Sequence, residues 1–71
     1  MSYAKRKVPI DRNRLKRVLK LNCMNIRKMC DALNLNYGTF LYCIEHGDIM
    51  PDILELVTVY LDTNMEYLQG L

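Results

Sequence analysis

One three-part formula recurs three times in the first 40 residues: an apolar residue, then Asp or Asn, then a second apolar residue four positions further on. It reads Ile10-Asp11…Leu15, Met24-Asn25…Met29 and Leu35-Asn36…Phe40. Asp and Asn accept hydrogen bonds from the free N–H groups that open a helix. The apolar pair closes over that turn as a hydrophobic staple. A chain with helix starts this close together is confined to short helices.

The spacing predicts five of them. The first runs from Arg12 to about Leu21 and buries Leu15, Val18 and Leu19. The second runs from Ile26 to Leu33, burying Ile26, Met29, Cys30 and Leu33, and Asn34 can take the left-handed conformation that closes it. The third runs from Tyr37 to about His46, burying Phe40, Leu41 and Ile44, with Gly47 as its C-terminal cap. Pro51-Asp52 opens the fourth, where Ile53, Leu54, Val57, Tyr60 and Leu61 repeat at helical spacing. Thr63-Asn64-Met65-Glu66 has the spacing of a capping box and opens a short fifth helix carrying Tyr67 and Leu68. No segment alternates long enough for a strand. The expected fold is all-α, one domain over residues 9–71, with five short helices at steep angles.

Seventy-one residues lie near the lower limit for a single unstapled core, and 51% apolar content is enough to build one. No apolar run approaches the ~20 residues of a membrane span. The basic N-terminus has no apolar stretch after it, so no signal peptide is expected. Cys23, Cys30 and Cys43 are an odd number in or beside helical patterns. Reduced, mostly buried thiols and a cytoplasmic location are therefore expected. Cys43 and His46 share a helix face, but without a Cys-x-x-Cys pair no metal site is expected. Glu45 beside His46 lacks a nucleophile and a cleft, so no enzyme activity and no cofactor are expected.

Charge is the strongest functional signal. All ten Lys and Arg residues lie within residues 1–28, with Asp11 the one acid among them, giving +9 there. The other seven acids give −7 over residues 29–71. The net +2 conceals this segregation, which steers a polyanion to one side of the molecule. Residues 1–8 read as a flexible basic arm.

From Leu15 to Leu68, about three quarters of the chain, the sequence resembles the DNA-binding domain of the Cro/phage-repressor (XRE) family. The residues that carry the likeness are Asn25-Ile26-Arg27-Lys28-Met29-Cys30-Asp31-Ala32-Leu33, Asn36-Tyr37-Gly38-Thr39-Phe40, Ile44-Glu45-His46-Gly47, Pro51, and Leu61 through Gly70. The resemblance implies a lambda-repressor-like fold with a helix-turn-helix made by helices 2 and 3. It also implies a sequence-specific regulator of transcription, of phage or bacterial type, that binds double-stranded DNA. Four departures stand out. The Glu-x-Gly end of helix 3 comes one residue late, by a longer helix or a bulge. Asn34 replaces the turn Gly, and the span from Pro51 to Leu61 is about two residues short. The helix 1 Arg that pairs with the helix 3 Glu falls on or next to Leu19, leaving Lys20 or Arg17 to face Glu45.

In this resemblance helix 3 enters the major groove, with Asn36, Tyr37, Gly38, Thr39 and Tyr42 as base-contact candidates. Asn25, Arg27 and Lys28 at the start of helix 2, with Lys5, Arg6, Lys7 and Arg12, are the phosphate-contact candidates. A homodimer through the helix 4–5 end would use Val59, Met65, Tyr67 and Leu71. Helix 3 contains no Lys, Arg or Gln, and Tyr37-Gly-Thr-Phe-Leu-Tyr-Cys-Ile44 is apolar and aromatic. The alternative is therefore a helix-turn-helix that binds a host protein, such as a phage-encoded inhibitor or antirepressor.

Overall fold

The computed structural model describes residues 6–71, so Lys5 and the rest of residues 1–5 lie outside the described residues. The helices are α1 (Arg12–Leu21), α2 (Ile26–Leu33), α3 (Tyr37–His46), α4 (Pro51–Leu61) and α5 (Met65–Gln69). The three stapled starts form as their sequences dictate. Asp11 accepts the Arg14 N–H at 3.0 Å, Asn25 the Lys28 N–H at 2.8 Å and Asn36 the Thr39 N–H at 2.9 Å. The apolar partners Leu15, Met29 and Phe40 are buried behind them.

The start of α5 differs from the expected capping box. Its cap is Asn64, which accepts the Tyr67 N–H at 2.7 Å. Thr63 is occupied in closing α4, donating its N–H to the Thr58 carbonyl at 3.0 Å. All five helices end beside a residue of left-handed φ: Cys23, Asn34, Gly47, Asp62 and Gly70. Three of these are not glycine, and Asn34 and Asp62 are side chains that tolerate this region.

The core gathers Leu15 and Leu19 of α1, Met29 and Cys30 of α2, Phe40 and Ile44 of α3, Leu54, Val57 and Leu61 of α4, and Leu68 of α5. Ile26 and Leu33 are half-buried against it instead of inside it, and Leu41 is likewise half-buried. Tyr60, expected on the α4 stripe, is exposed, and Thr58 is buried instead. Leu54, Val57, Thr58 and Leu61 follow the i, i+3, i+4, i+7 rule, which leaves Tyr60 beside the stripe. The buried Thr58 hydroxyl donates to the Glu55 carbonyl at 2.7 Å, so its burial leaves no polar group unmet.

A small sheet was not expected. β1 (Val8–Pro9) runs antiparallel to β2 (Asp48–Ile49), with Val8 opposite Ile49 and Pro9 opposite Asp48. Two residues are too short to show alternation, so no pattern announces them. Val8, assigned to the arm from sequence, is thus fixed to the segment after α3, and Ile10 donates to the Gly47 carbonyl at 3.0 Å. No helix among the described residues is long and apolar enough to cross a membrane.

α5 closes the fold against α1. Asp11 donates its backbone N–H to the Leu68 carbonyl at 2.6 Å. The Arg14 guanidinium donates to the carbonyls of Tyr67 at 3.2 Å and Leu71 at 3.1 Å, and lies 4.8 Å over the Tyr67 ring. A cation at the carbonyl end of a helix is favourably placed. Arg17 donates to the Tyr67 hydroxyl at 3.3 Å. Among the described residues, two basic side chains, Arg14 and Arg17, are therefore engaged in holding α5.

Candidate nucleic-acid interface

Four of the remaining cations of α1 and α2, Arg12, Lys16, Lys20 and Arg27, converge on one side, where they line a common groove. Arg12, Lys16 and Lys20 recur every four residues along α1 and are all exposed. The three-residue link Asn22-Cys23-Met24 ends α1, and Asn25 starts α2 next to them. Arg27 and Lys28, in the first turn of α2, are exposed as well. They stand at the positive end of the α2 dipole, where backbone N–H groups and cations together favour an anion.

α2 and α3 are joined by Asn34-Leu35-Asn36. Asn34 sits at φ 59°, ψ 40°, and Leu35 returns its N–H to the Cys30 carbonyl at 2.8 Å. Leu35 packs against the core and anchors the turn. The two helices pack directly on each other. At their starts the Arg27 guanidinium lies 4.9 Å over the Tyr37 ring. This stacking fixes the cation of α2 against the first residue of α3.

α3 is helical without interruption from Tyr37 to His46. The Glu45-His46-Gly47 ending therefore closes a regular helix with no bulge. Thr39 and Tyr42, three residues apart, share its exposed face. Gly38 is exposed next to them, and Tyr37 is half-buried under Arg27. Asn36 is exposed, but its side-chain oxygen is occupied in capping Thr39, leaving the amide N–H groups as its donors. Asn25 is in the same state through its bond to Lys28.

Tyr42 is 57% exposed and stacks on His46, ring centroids 3.9 Å apart. His46 Nδ1 lies 2.9 Å from the Tyr42 carbonyl oxygen. His46 thus holds the Tyr42 ring, a contact the sequence analysis did not anticipate. An aromatic four residues before a histidine in one helix was the available signal.

Gly38 has no packing reason to be glycine. A Cβ there would meet only the Asn36 Oδ1, at an ordinary 3.5 Å. Its φ is not in the left-handed region, unlike that of Gly47 at 79°. A first-turn glycine costs helix stability without a structural return. What it leaves is a bare stretch of backbone beside Thr39 and Tyr42.

Lys16 and Lys20 were not among the sequence candidates, but they line the same groove as Arg12 and Arg27, as their four-residue spacing from Arg12 allows. Of the arm candidates, Arg6 and Lys7 are exposed and precede β1. The cysteines are not uniformly buried: Cys23 is exposed, Cys43 intermediate and Cys30 fully enclosed. Burial and the neighbouring Asp31 push the Cys30 thiol above its ordinary pKa. Among the proposed dimer residues, Val59 and Leu71 are 74% and 80% exposed, while Met65 and Tyr67 pack against the core. No protein-family model, curated protein or solved structure matches this chain.

Proposed function

We propose that this chain is a helix-turn-helix regulator that binds double-stranded DNA sequence-specifically, in the manner of the Cro/repressor-like proteins it resembles. The observation that carries the reading is the stack of Arg27 on Tyr37, which ties the basic side of the molecule to the start of α3. Arg12, Lys16, Lys20 and Arg27 line one groove together with Tyr37, Leu41 and Glu45 of α3, and Gly38, Thr39 and Tyr42 are exposed on that same helix.

In the proposed complex α3 lies in the major groove. Thr39 bonds a base edge or touches a thymine methyl, Tyr42 contacts sugar, methyl or phosphate, and Gly38 allows the backbone to come close. Arg27, Lys28 and the Asn25 amide grip the phosphates at the α2 start, aided by Arg12 and the arm. These contacts set position and affinity, and the α3 side chains set preference. The exposed Val59 and Leu71 are the residues through which two copies would pair, setting two α3 helices about 34 Å apart.

A second reading is favoured by one observation. The Tyr42–His46 stack presents an aromatic surface on a helix without Lys, Arg or Gln. Such a surface also suits a protein partner. A mobility-shift experiment over the DNA upstream of the chain's own gene separates the two. A discrete complex that survives competitor DNA supports the regulator. Loss of the complex to any competitor, with Tyr42-dependent capture of one host protein, supports the protein-binding module.

A further inference from the structure

The helical spacing that lines up Arg12, Lys16 and Lys20 on α1 has a counterpart on α3, where Tyr37, Leu41, Ile44 and Glu45 follow i, i+4, i+7, i+8. The two faces and the start of α2 line an open groove with a volume of about 470 Å³. Its apolar wall is formed by Leu19, Ile26, Leu41 and Ile44. Its polar wall carries the cations Arg12, Lys16, Lys20 and Arg27 against the single carboxylate of Glu45. The volume is in the range of small-molecule sites.

We propose that this groove binds a small amphipathic anion, an acid group carried on a medium-length aliphatic chain. Each half of the groove specifies one half of the ligand. Four cations and the positive end of the α2 dipole select a negative head. Met24, Ile26, Tyr37 and Leu41, each half-buried, offer apolar surface to a hydrocarbon chain over a floor of buried Leu19 and Ile44. A DNA phosphate would satisfy the cations and leave the apolar wall wet. A neutral lipid would cover the wall and leave the four cations without an anionic partner. Arg12 and Arg27 belong both to this groove and to the proposed phosphate contacts. A bound anion would therefore compete with DNA, a consequence that rests on the regulator reading, whereas the site itself does not.

The test is a titration of the full chain with decanoate below its micelle concentration, followed by amide chemical shifts in the absence of DNA. Decanol and decyltrimethylammonium serve as neutral and cationic probes of equal length. Saturable shifts centred on Ile26, Leu41 and Ile44, stronger for decanoate than for either control, are expected. The double variant K16Q/K20Q changes two exposed residues. It should weaken decanoate about tenfold while melting like the parent chain. Leu41→Gln should weaken all three probes. The proposal is overturned if decanol binds as well as decanoate, if K16Q/K20Q binds decanoate unchanged, or if the shifts centre on Val59 and Leu71. Because DNA is absent from this titration, failure to find an operator leaves its outcome readable.

Discussion

Gly38→Ala separates the needs of the fold from the needs of binding. The added Cβ meets only Asn36 Oδ1 at 3.5 Å, and the backbone φ suits alanine. Alanine exceeds glycine in helix propensity by ~0.8–1.0 kcal/mol in a helix interior. Gly38 is the second residue of α3, where the chain is less constrained, so the expected gain is about half of that. For a domain of this size ~0.5 kcal/mol raises Tm by roughly 2–4 °C. The opposite sign is expected for DNA. A methyl group on the bare backbone beside Thr39 holds α3 away from the groove. Affinity for a specific duplex should fall about tenfold, or ~1.4 kcal/mol. Thermal denaturation by circular dichroism and fluorescence anisotropy with a labelled duplex read the two effects on one sample. A more stable variant with undiminished DNA affinity would refute the close approach of α3.

Further outcomes follow from the same structure. Arg27→Ala with Lys28→Ala should weaken every duplex alike and flatten the plot of log affinity against log salt by about 1.8, two phosphates at ~0.9 each. Tm should change by only a few degrees, through loss of the Arg27–Tyr37 stack. Arg14→Ala removes two guanidinium–carbonyl bonds and the Tyr67 stack. A loss of about 2 kcal/mol by urea unfolding is expected, with base preference unchanged. Native iodoacetamide labelling should modify exposed Cys23 quickly and Cys30 only on unfolding. The raised Cys30 pKa means that its protonated form is favoured in the folded state. That contribution is complete below the ordinary thiol range and is lost as pH rises through the folded pKa. Alkaline unfolding should therefore move to higher pH when Cys30 is replaced by Ala in an otherwise stabilised background.

The helices were legible because their signals are local. Asp11, Asn25 and Asn36 each act within four residues of themselves, and each caps the helix that its neighbours predict. Thr63 misled because two helix ends compete for the same short segment, and spacing alone does not show that the residue is held by α4. The β1–β2 pair was illegible because Val8 meets Ile49 across 41 positions of chain with no pattern at either end. The site was half legible. The exposed places of Arg27, Lys28, Thr39 and Tyr42 could be read from helix starts and faces. The groove that Lys16 and Lys20 line and the Tyr42–His46 stack could not, since they depend on what the folded helices place side by side.

The most direct test of the DNA reading is selection from random duplex DNA with the full chain and with Thr39→Ala and Tyr42→Ala made separately. The parent chain should enrich one short motif, repeated with two-fold symmetry about one helical turn apart. Each variant should keep its fold and relax or change the preferred base at one position of that motif. Enrichment of no motif by the parent chain, or of an identical motif by all three proteins, would contradict the assignment of α3 as the helix that reads DNA.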